Sequence, residues 1–187
     1  LLHCHYAIPD ATSAWIAREM LGDARPDIKV LTTLHGTDIT IVGQDPSFHA
    51  ITKFSIEKSD GLTAVSHFLR DETVSAFGCT GCRIEVIPNL VDPAVYDRAR
   101  YPGSRGAFGD GRPVLMHISN FRPVKRVADV VRVFARVNAE WPCLLVMVGD
   151  GPDRIVAERE ANRLGVQDQV MFLGKIESVA PLLASAD

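Results

Sequence analysis

No apolar run in the sequence approaches the roughly 20 residues that a membrane-crossing helix needs, so no segment reads as a span. Charge of one sign is also lacking. Twenty Lys and Arg against 23 Asp and Glu leave a net charge of −3, and no basic stripe marks a general nucleic-acid binder. The opening residues, LLHCHYAIPD, carry neither a basic stretch nor a small-residue cleavage site, so they do not read as a signal peptide. Cysteine is scarce. Of Cys4, Cys79, Cys82 and Cys143, only Cys79 and Cys82 are spaced as a pair, and neither a second pair nor H-x-x-x-H follows. A zinc site needs about four ligands. A redox pair should open a helix, whereas this one precedes a strand pattern. Two free thiols in a turn is the reading that remains, and free thiols point to a reducing, cytoplasmic setting. Also absent are the dinucleotide fingerprint G-x-G-x-x-G, a nucleophile elbow, a Ser-His-Asp order and a D-x-D metal motif.

What is present is alternation. β-branched runs at 29–34, 61–65, 83–87, 113–118, 143–148 and 169–173 predict strands. Helical patterns at 11–21, 47–59, 67–77, 125–140 and 152–164 lie between them. Val127, Val130, Val131, Phe134 and Val137 recur at three- and four-residue steps and predict one apolar helix face. Apolar strands alternating with helices predict an α/β fold with parallel sheets covered by helices. The rhythm breaks at 97–112, rich in Gly and Arg, which reads as a linker. The expected organisation is therefore 1–96 as part of one Rossmann-like domain, 97–112 as linker, and 113–187 as the start of a second. The first residue is Leu, LLHCHY reads as the end of a buried strand, and 182–187 reads as a helix approaching another strand. The chain is thus expected to be a piece of a longer protein.

Ligands of such sheets bind at the carboxyl ends of the strands. After 29–34 comes His35-Gly36-Thr37-Asp38. This loop reads either as an acceptor-binding or proton-handling site, or as a turn in which His35 and Asp38 cap the next helix. After 113–118 comes Ser119-Asn120-Phe121-Arg122-Pro123-Val124-Lys125-Arg126. Cations at a helix start oppose the helix dipole, so this loop predicts an anionic ligand rather than a merely solvated surface. Val148-Gly149-Asp150-Gly151-Pro152 fits a tight turn with Pro152 at the first helical position. Leu173-Gly174-Lys175 is a further turn after a strand, and Asn89 after Pro88 reads equally as a cleft amide or a turn residue. His3, His5 and Tyr6 end the first strand pattern and read either as facing the same cleft or as structural residues at a strand end. His49, His67 and His117 show no ligand spacing and receive no role.

The ordered set HGTD, DGLTAVS, IEVIPNLVD, SNFRPVKR, VGDGP and VMFLG covers nearly the whole chain and resembles glycosyltransferase family 4. The resemblance implies the GT-B fold: two Rossmann-like domains with a cleft between them, both incomplete here. HYAIPDATSAWIAREML, TTLHGTDIT and HISNFRPVKRV are similar to a bacterial subgroup that transfers N-acetylglucosamine to L-malate in the first step of bacillithiol biosynthesis. Most family members carry Arg five residues before the diphosphate Lys; here Asn120 holds that place and Arg122 comes later, as in the malate-using subgroup.

That resemblance implies UDP-N-acetylglucosamine as donor, L-malate as acceptor and retention of anomeric configuration. It places Asn120, Lys125 and Arg122 at the diphosphate, and Gly149, Gly151, Gly174 and Lys175 along the nucleotide, mostly through backbone. Tyr6, Thr33, His35 and Asn89 would face acceptor and sugar. His35, Lys125 and Arg122 would carry the chemistry, His35 by orienting rather than as the main base. No metal, cofactor, nucleic acid or membrane insertion is expected, and a homo-oligomer is compatible with the reading. The family's glycine-rich donor loop and E-x7-E motif would lie outside this chain, so this chain alone is expected to be inactive. Rival readings are a family 4 hexosyltransferase with another UDP- or GDP-sugar and a sugar or lipid acceptor, a UDP-sugar 2-epimerase, and a non-catalytic nucleotide-sugar-binding module.

Overall fold

The computed structural model describes residues 1–187 except Gly103, Arg105, Gly109 and Asp110, all four within the expected linker. The chain divides into two compact units, Leu1–Leu90 and Val91–Asp187.

In the first unit, β1 (Leu2–His5), β2 (Val30–Leu34), β3 (Gly61–Ala64) and β4 (Ile84–Val86) pair in that order, all parallel. Parallel neighbours need a crossover, and helices supply it. They are α1 (Thr12–Leu21), α2 (Pro46–Glu57) and α3 (His67–Phe77). Local chemistry sets their ends. The Asp45 carboxylate accepts from Ser47 N–H with Pro46 at the first position of α2, and Ser66 Oγ accepts from Leu69 N–H at the start of α3. Gly78, left-handed at φ 63°, stops α3. Leu34, Ile39, Ile56, Leu62, Leu69 and Phe77 form the core. Thr52, Ser55 and Thr73 are buried with them because each hydroxyl donates to a carbonyl four residues back.

Of the four residues of β1, Cys4 is buried, Leu2 partly so, and His3 and His5 are exposed. Cys79 and Cys82 are free thiols in the turn before β4, as the spacing suggested.

In the second unit, β5 (Val114–Ile118), β6 (Leu144–Val148) and β7 (Val170–Gly174) pair in that order, again parallel. Central β6 is buried at all five positions, which explains its uninterrupted apolar sequence. Around it lie α4 (Val127–Glu140), α5 (Arg154–Arg163) and α6 (Ala180–Ser185). The predicted apolar face of α4 is the observed one: Val127, Val131 and Phe134 are buried, with Val130 and Val137 partly so. Full burial of a side chain such as Phe134 stabilises by roughly 1.5–3 kcal/mol. Residues 98–100 of the expected linker form a helical turn in which Arg98 donates to the Ala186 carbonyl and Arg100 to the Ala94 carbonyl. Among the described residues no helix is long and apolar enough to cross a membrane.

Helices α4 and α5 are also tied by charge. Glu160 accepts from Arg132 at 2.6 Å and from Arg163 at 2.7 Å, and Arg132 reaches Asp129 at 2.7 Å. Hydrogen bonds from Arg163 and Arg132 hold the Glu160 carboxyl down from 4.5 to about 2. A depressed carboxyl contributes stability above its unfolded value, and that contribution is lost as pH falls through the folded one. Glu160→Gln should therefore lower the urea midpoint near neutral pH. The gap to wild type should shrink between pH 4.5 and 2, as read by unfolding curves across that window. A gap constant with pH would contradict this.

Candidate active site

In the second unit three loops leave the same end of the sheet and are stitched by main chain. Ser119 N–H donates to Val148 O at 3.1 Å, Gly149 N–H to Gly174 O at 2.7 Å, and Phe121 N–H to Asp150 O at 3.0 Å. Asp153 N–H returns to Phe121 O at 2.9 Å. The Phe121 side chain is fully buried and pins the basic loop to the core. The loops approach so closely that side chains are excluded. A Cβ on Gly149 (φ 121°) would lie 1.8 Å from Ser119 O, and one on Gly151 (φ 155°) 2.6 Å from Phe121 O. These glycines thus serve contact between loops. Their N–H groups already have partners, Gly174 O for Gly149 and Asp150 Oδ1 for Gly151.

With Phe121 inward, Asn120, Arg122 and Lys125 are exposed on the loop, and Lys175 is exposed after Gly174. The helix expected to start at Lys125 starts later. Pro123–Lys125 is a tight helical turn, Arg126 is left-handed (φ 50°, ψ 42°), and α4 begins at Val127. Likewise α5 begins at Arg154, so Pro152 precedes the helix instead of opening it. Arg126 is paired with Asp129 at 2.6 Å. Among the described residues, Arg122 and Lys125 make no ion pair. Of the loop's three cations, Arg122 and Lys125 are therefore the two open to an anionic ligand, and the sequence argument from bare cations at a helix start narrows accordingly. His117, given no role from the sequence, sits beneath the loop. Its Nε2 is 2.8 Å from Ser119 Oγ, and burial first and Lys125 second push its pKa down. It shares with Lys125 and Asp129 the wall of a depression of about 330 Å³.

In the first unit the strand ends bring imidazoles and hydroxyls together. His5 is in register with Thr33 and Thr33 with Thr63, so their side chains form one row across three strands. Thr33 Oγ1 lies 2.7 Å from Thr63 Oγ1 and 2.8 Å from His3 Nε2. His5 Nδ1 lies 2.7 Å from His35 Nε2. The Tyr6 ring stands 5.1 Å from that of His35, with Tyr6 itself at φ 84°, a region costly for a non-glycine residue. Asn89, Thr33 and His35 line a depression of about 330 Å³ together with His3, His5 and Thr63. Thr33, His35 and Asn89 thus share one depression with His3, His5 and Thr63, and Tyr6 stands beside His35. The H-x-H alternation puts His3 and His5 on one face of their strand; Thr63 had no signal in the sequence.

Asp38 holds this loop in place. It is buried, and its carboxylate accepts from Ala7 N–H at 2.9 Å, Gly36 N–H at 3.0 Å and His35 N–H at 3.3 Å. Gly36, at φ 121°, provides the turn. Burial first, then His5, lowers the pKa of His35, against the upward pull of Asp38. A neutral imidazole can donate and accept hydrogen bonds without placing charge in the site. Among the described residues no group of three or more His, Cys, Asp or Glu side chains is disposed to hold a metal ion.

Gly149→Ala should destabilise the second unit by about 2–4 kcal/mol, because a Cβ meets backbone and φ is unsuited to alanine. Urea unfolding reads it, and stability equal to wild type would show that the loops can part without cost.

Comparison with known proteins agrees with this architecture. The sequence pattern of Glycosyltransferase Family 4 matches residues 1–95, and that of Glycosyl transferases group 1 matches residues 104–187. N-acetyl-alpha-D-glucosaminyl L-malate synthase of Bacillus anthracis is 43% identical over 189 residues, covering 100% of this chain and 49% of the relative. An uncharacterized glycosyltransferase of Methanocaldococcus jannaschii is 23% identical over 201 residues, covering 100% of this chain and 50% of its own length. The chain therefore spans about half the length of these curated relatives. Among solved structures, WaaG, a glycosyltransferase involved in lipopolysaccharide biosynthesis, superposes with TM-score 0.72 at 18% identity, over 94% of this chain and 55% of that one. Anabaena HepE in complex with UDP gives 0.71 at 20% identity, over 95% and 50%. These likenesses show the GT-B type of fold, and the sequence matches along both units show that the chain belongs to glycosyltransferase family 4.

Proposed function

We propose that the whole protein is a retaining glycosyltransferase that moves N-acetylglucosamine from UDP-N-acetylglucosamine to L-malate. The observation that carries this reading is the 43% identity, along the entire chain, to the Bacillus anthracis synthase of that name. The exposed cations of the second unit fit it. Lys125 and Arg122 are open to an anion, and Asn120 adds an amide beside them. In this reading Lys125 neutralises the charge that develops on the departing diphosphate, a stabilisation realised in the transition state. Gly149 and Gly151 shape the nucleotide site by letting the loops close on one another, Gly174 joins them through its carbonyl, and Lys175 flanks it.

The first unit serves the acceptor and the sugar. Thr33, Tyr6 and Asn89 offer hydroxyl and amide partners to malate's carboxylates and hydroxyl. His35, held neutral, orients sugar and acceptor, while the leaving phosphate takes the acceptor proton on the same face as the attack. Retention follows from that front-side geometry. The reading needs no metal and no resident cofactor, and it places the protein in the cytoplasm.

The test is transfer by the full-length protein, with UDP-N-acetylglucosamine and L-malate supplied and the malate glycoside detected by mass. Product on another acceptor with none on malate would sink the malate reading. Lys125→Ala should lower kcat/KM by about a hundredfold to a thousandfold, on the scale of losing one group that stabilises transition-state charge. The thermal midpoint should stay at the wild-type value, since Lys125 is exposed and makes no ion pair among the described residues. Unchanged turnover in that variant would refute the diphosphate role.

A further inference from the structure

His5 is the residue whose geometry exceeds what that reading uses. It ends β1 in register with Thr33, one position before the turn at Tyr6. Its Nδ1 lies 2.7 Å from His35 Nε2, and the two ring centroids are 5.0 Å apart. Two imidazole nitrogens at that distance are joined by a single proton, because two N–H groups pointed at each other repel and two lone pairs gain nothing.

That bridge has consequences for His35. Its Nε2 is occupied, so Nδ1 is the ring nitrogen left to meet a ligand. The ring is also fixed in angle from three directions. His5 holds Nε2, the Tyr6 ring flanks it at 5.1 Å, and Asp38 holds its main chain at 3.3 Å. Whichever nitrogen donates across the bridge, the hydrogen-bonding character of Nδ1 is set by the same choice. If His5 donates, His35 carries its own proton on Nδ1 and presents a donor there. His3 takes part differently: its Nε2 turns to Thr33 Oγ1, and its ring lies tilted by 32° with its centroid 4.6 Å from that of His5. The titratable groups facing His35 are thus His3 and His5 from β1, Tyr6 beyond it and Asp38 from its own turn.

We propose that His5 is a positioning residue for His35: through the shared proton it fixes the ring and tautomer of His35, so that Nδ1 faces the acceptor side of the site. The kinetic part of this proposal rests on the transferase reading above; the tautomer part does not.

The experiment uses the full-length protein with ¹⁵N-labelled histidine, in wild type and in His5→Phe and His5→Asn. Phenylalanine keeps a ring but loses the bridge. Asparagine restores a neutral donor near the place of Nδ1. One neutral tautomer of His35 is expected in wild type and His5→Asn, and a mixture in His5→Phe. In the transfer assay His5→Phe should lower kcat by about tenfold to a hundredfold, as misplacement of an orienting group does. The KM for the sugar nucleotide should hold, and His5→Asn should recover most of the rate. An unchanged His35 tautomer in His5→Phe overturns the proposal, whatever the rate. So does a His5→Asn variant as slow as His5→Phe. If wild type transfers to no acceptor, the transferase reading fails and the tautomer spectra alone decide on His5.

Discussion

Parallel pairing is the constraint on which both units depend. Parallel strands must all run the same way, so every strand releases its following loop at one edge of the sheet. Residues far apart in sequence then meet side by side at that edge. Thr33 and Thr63 are thirty residues apart and 2.7 Å apart at their hydroxyls. Ser119 N–H donates to Val148 O and Gly149 N–H to Gly174 O, so two main-chain bonds join the ends of three successive strands. An antiparallel arrangement of the same strands would scatter these loops to opposite edges.

The two units use that edge in different ways. In the second, backbone does the joining. Glycines at 149 and 151 allow carbonyls to approach where a Cβ would collide, and the buried Phe121 turns its polar neighbours outward. The outcome is a rigid loop that displays Asn120, Arg122 and Lys125. In the first unit, side chains do the joining. One buried carboxylate, Asp38, gathers three N–H groups from β1's exit and from its own turn. That ties the His35 loop to the strand that carries His5 and Tyr6, and the imidazole pair follows from it. A buried carboxylate without those donors would be costly, so the loop conformation and the buried charge require each other.

Charge pairing explains why some cations are informative and others are not. Arg126, Arg132, Arg154 and Arg163 all have acidic partners within 2.9 Å. They build helix contacts. Counting them as ligand-binding charge would be an error that the sequence invites, since Arg122, Lys125 and Arg126 look alike in a row. Only the fold separates them, because Asp129 lies one helical turn beyond Arg126 and reaches it.

The sequence by itself determined the alternation of strand and helix, the inward face of α4, the loops at the strand ends and, through ordered motifs, the family. Those features are local or periodic, and period and turn chemistry act over a few residues. Tertiary structure alone decided that α4 begins after Arg126 and that Gly149 and Gly151 serve loop contact. It also decided that His35 is bonded to His5. Each of these depends on strand order, register or a pairing across about thirty residues. Such distances are set by the packing of whole elements, and no window of sequence contains them.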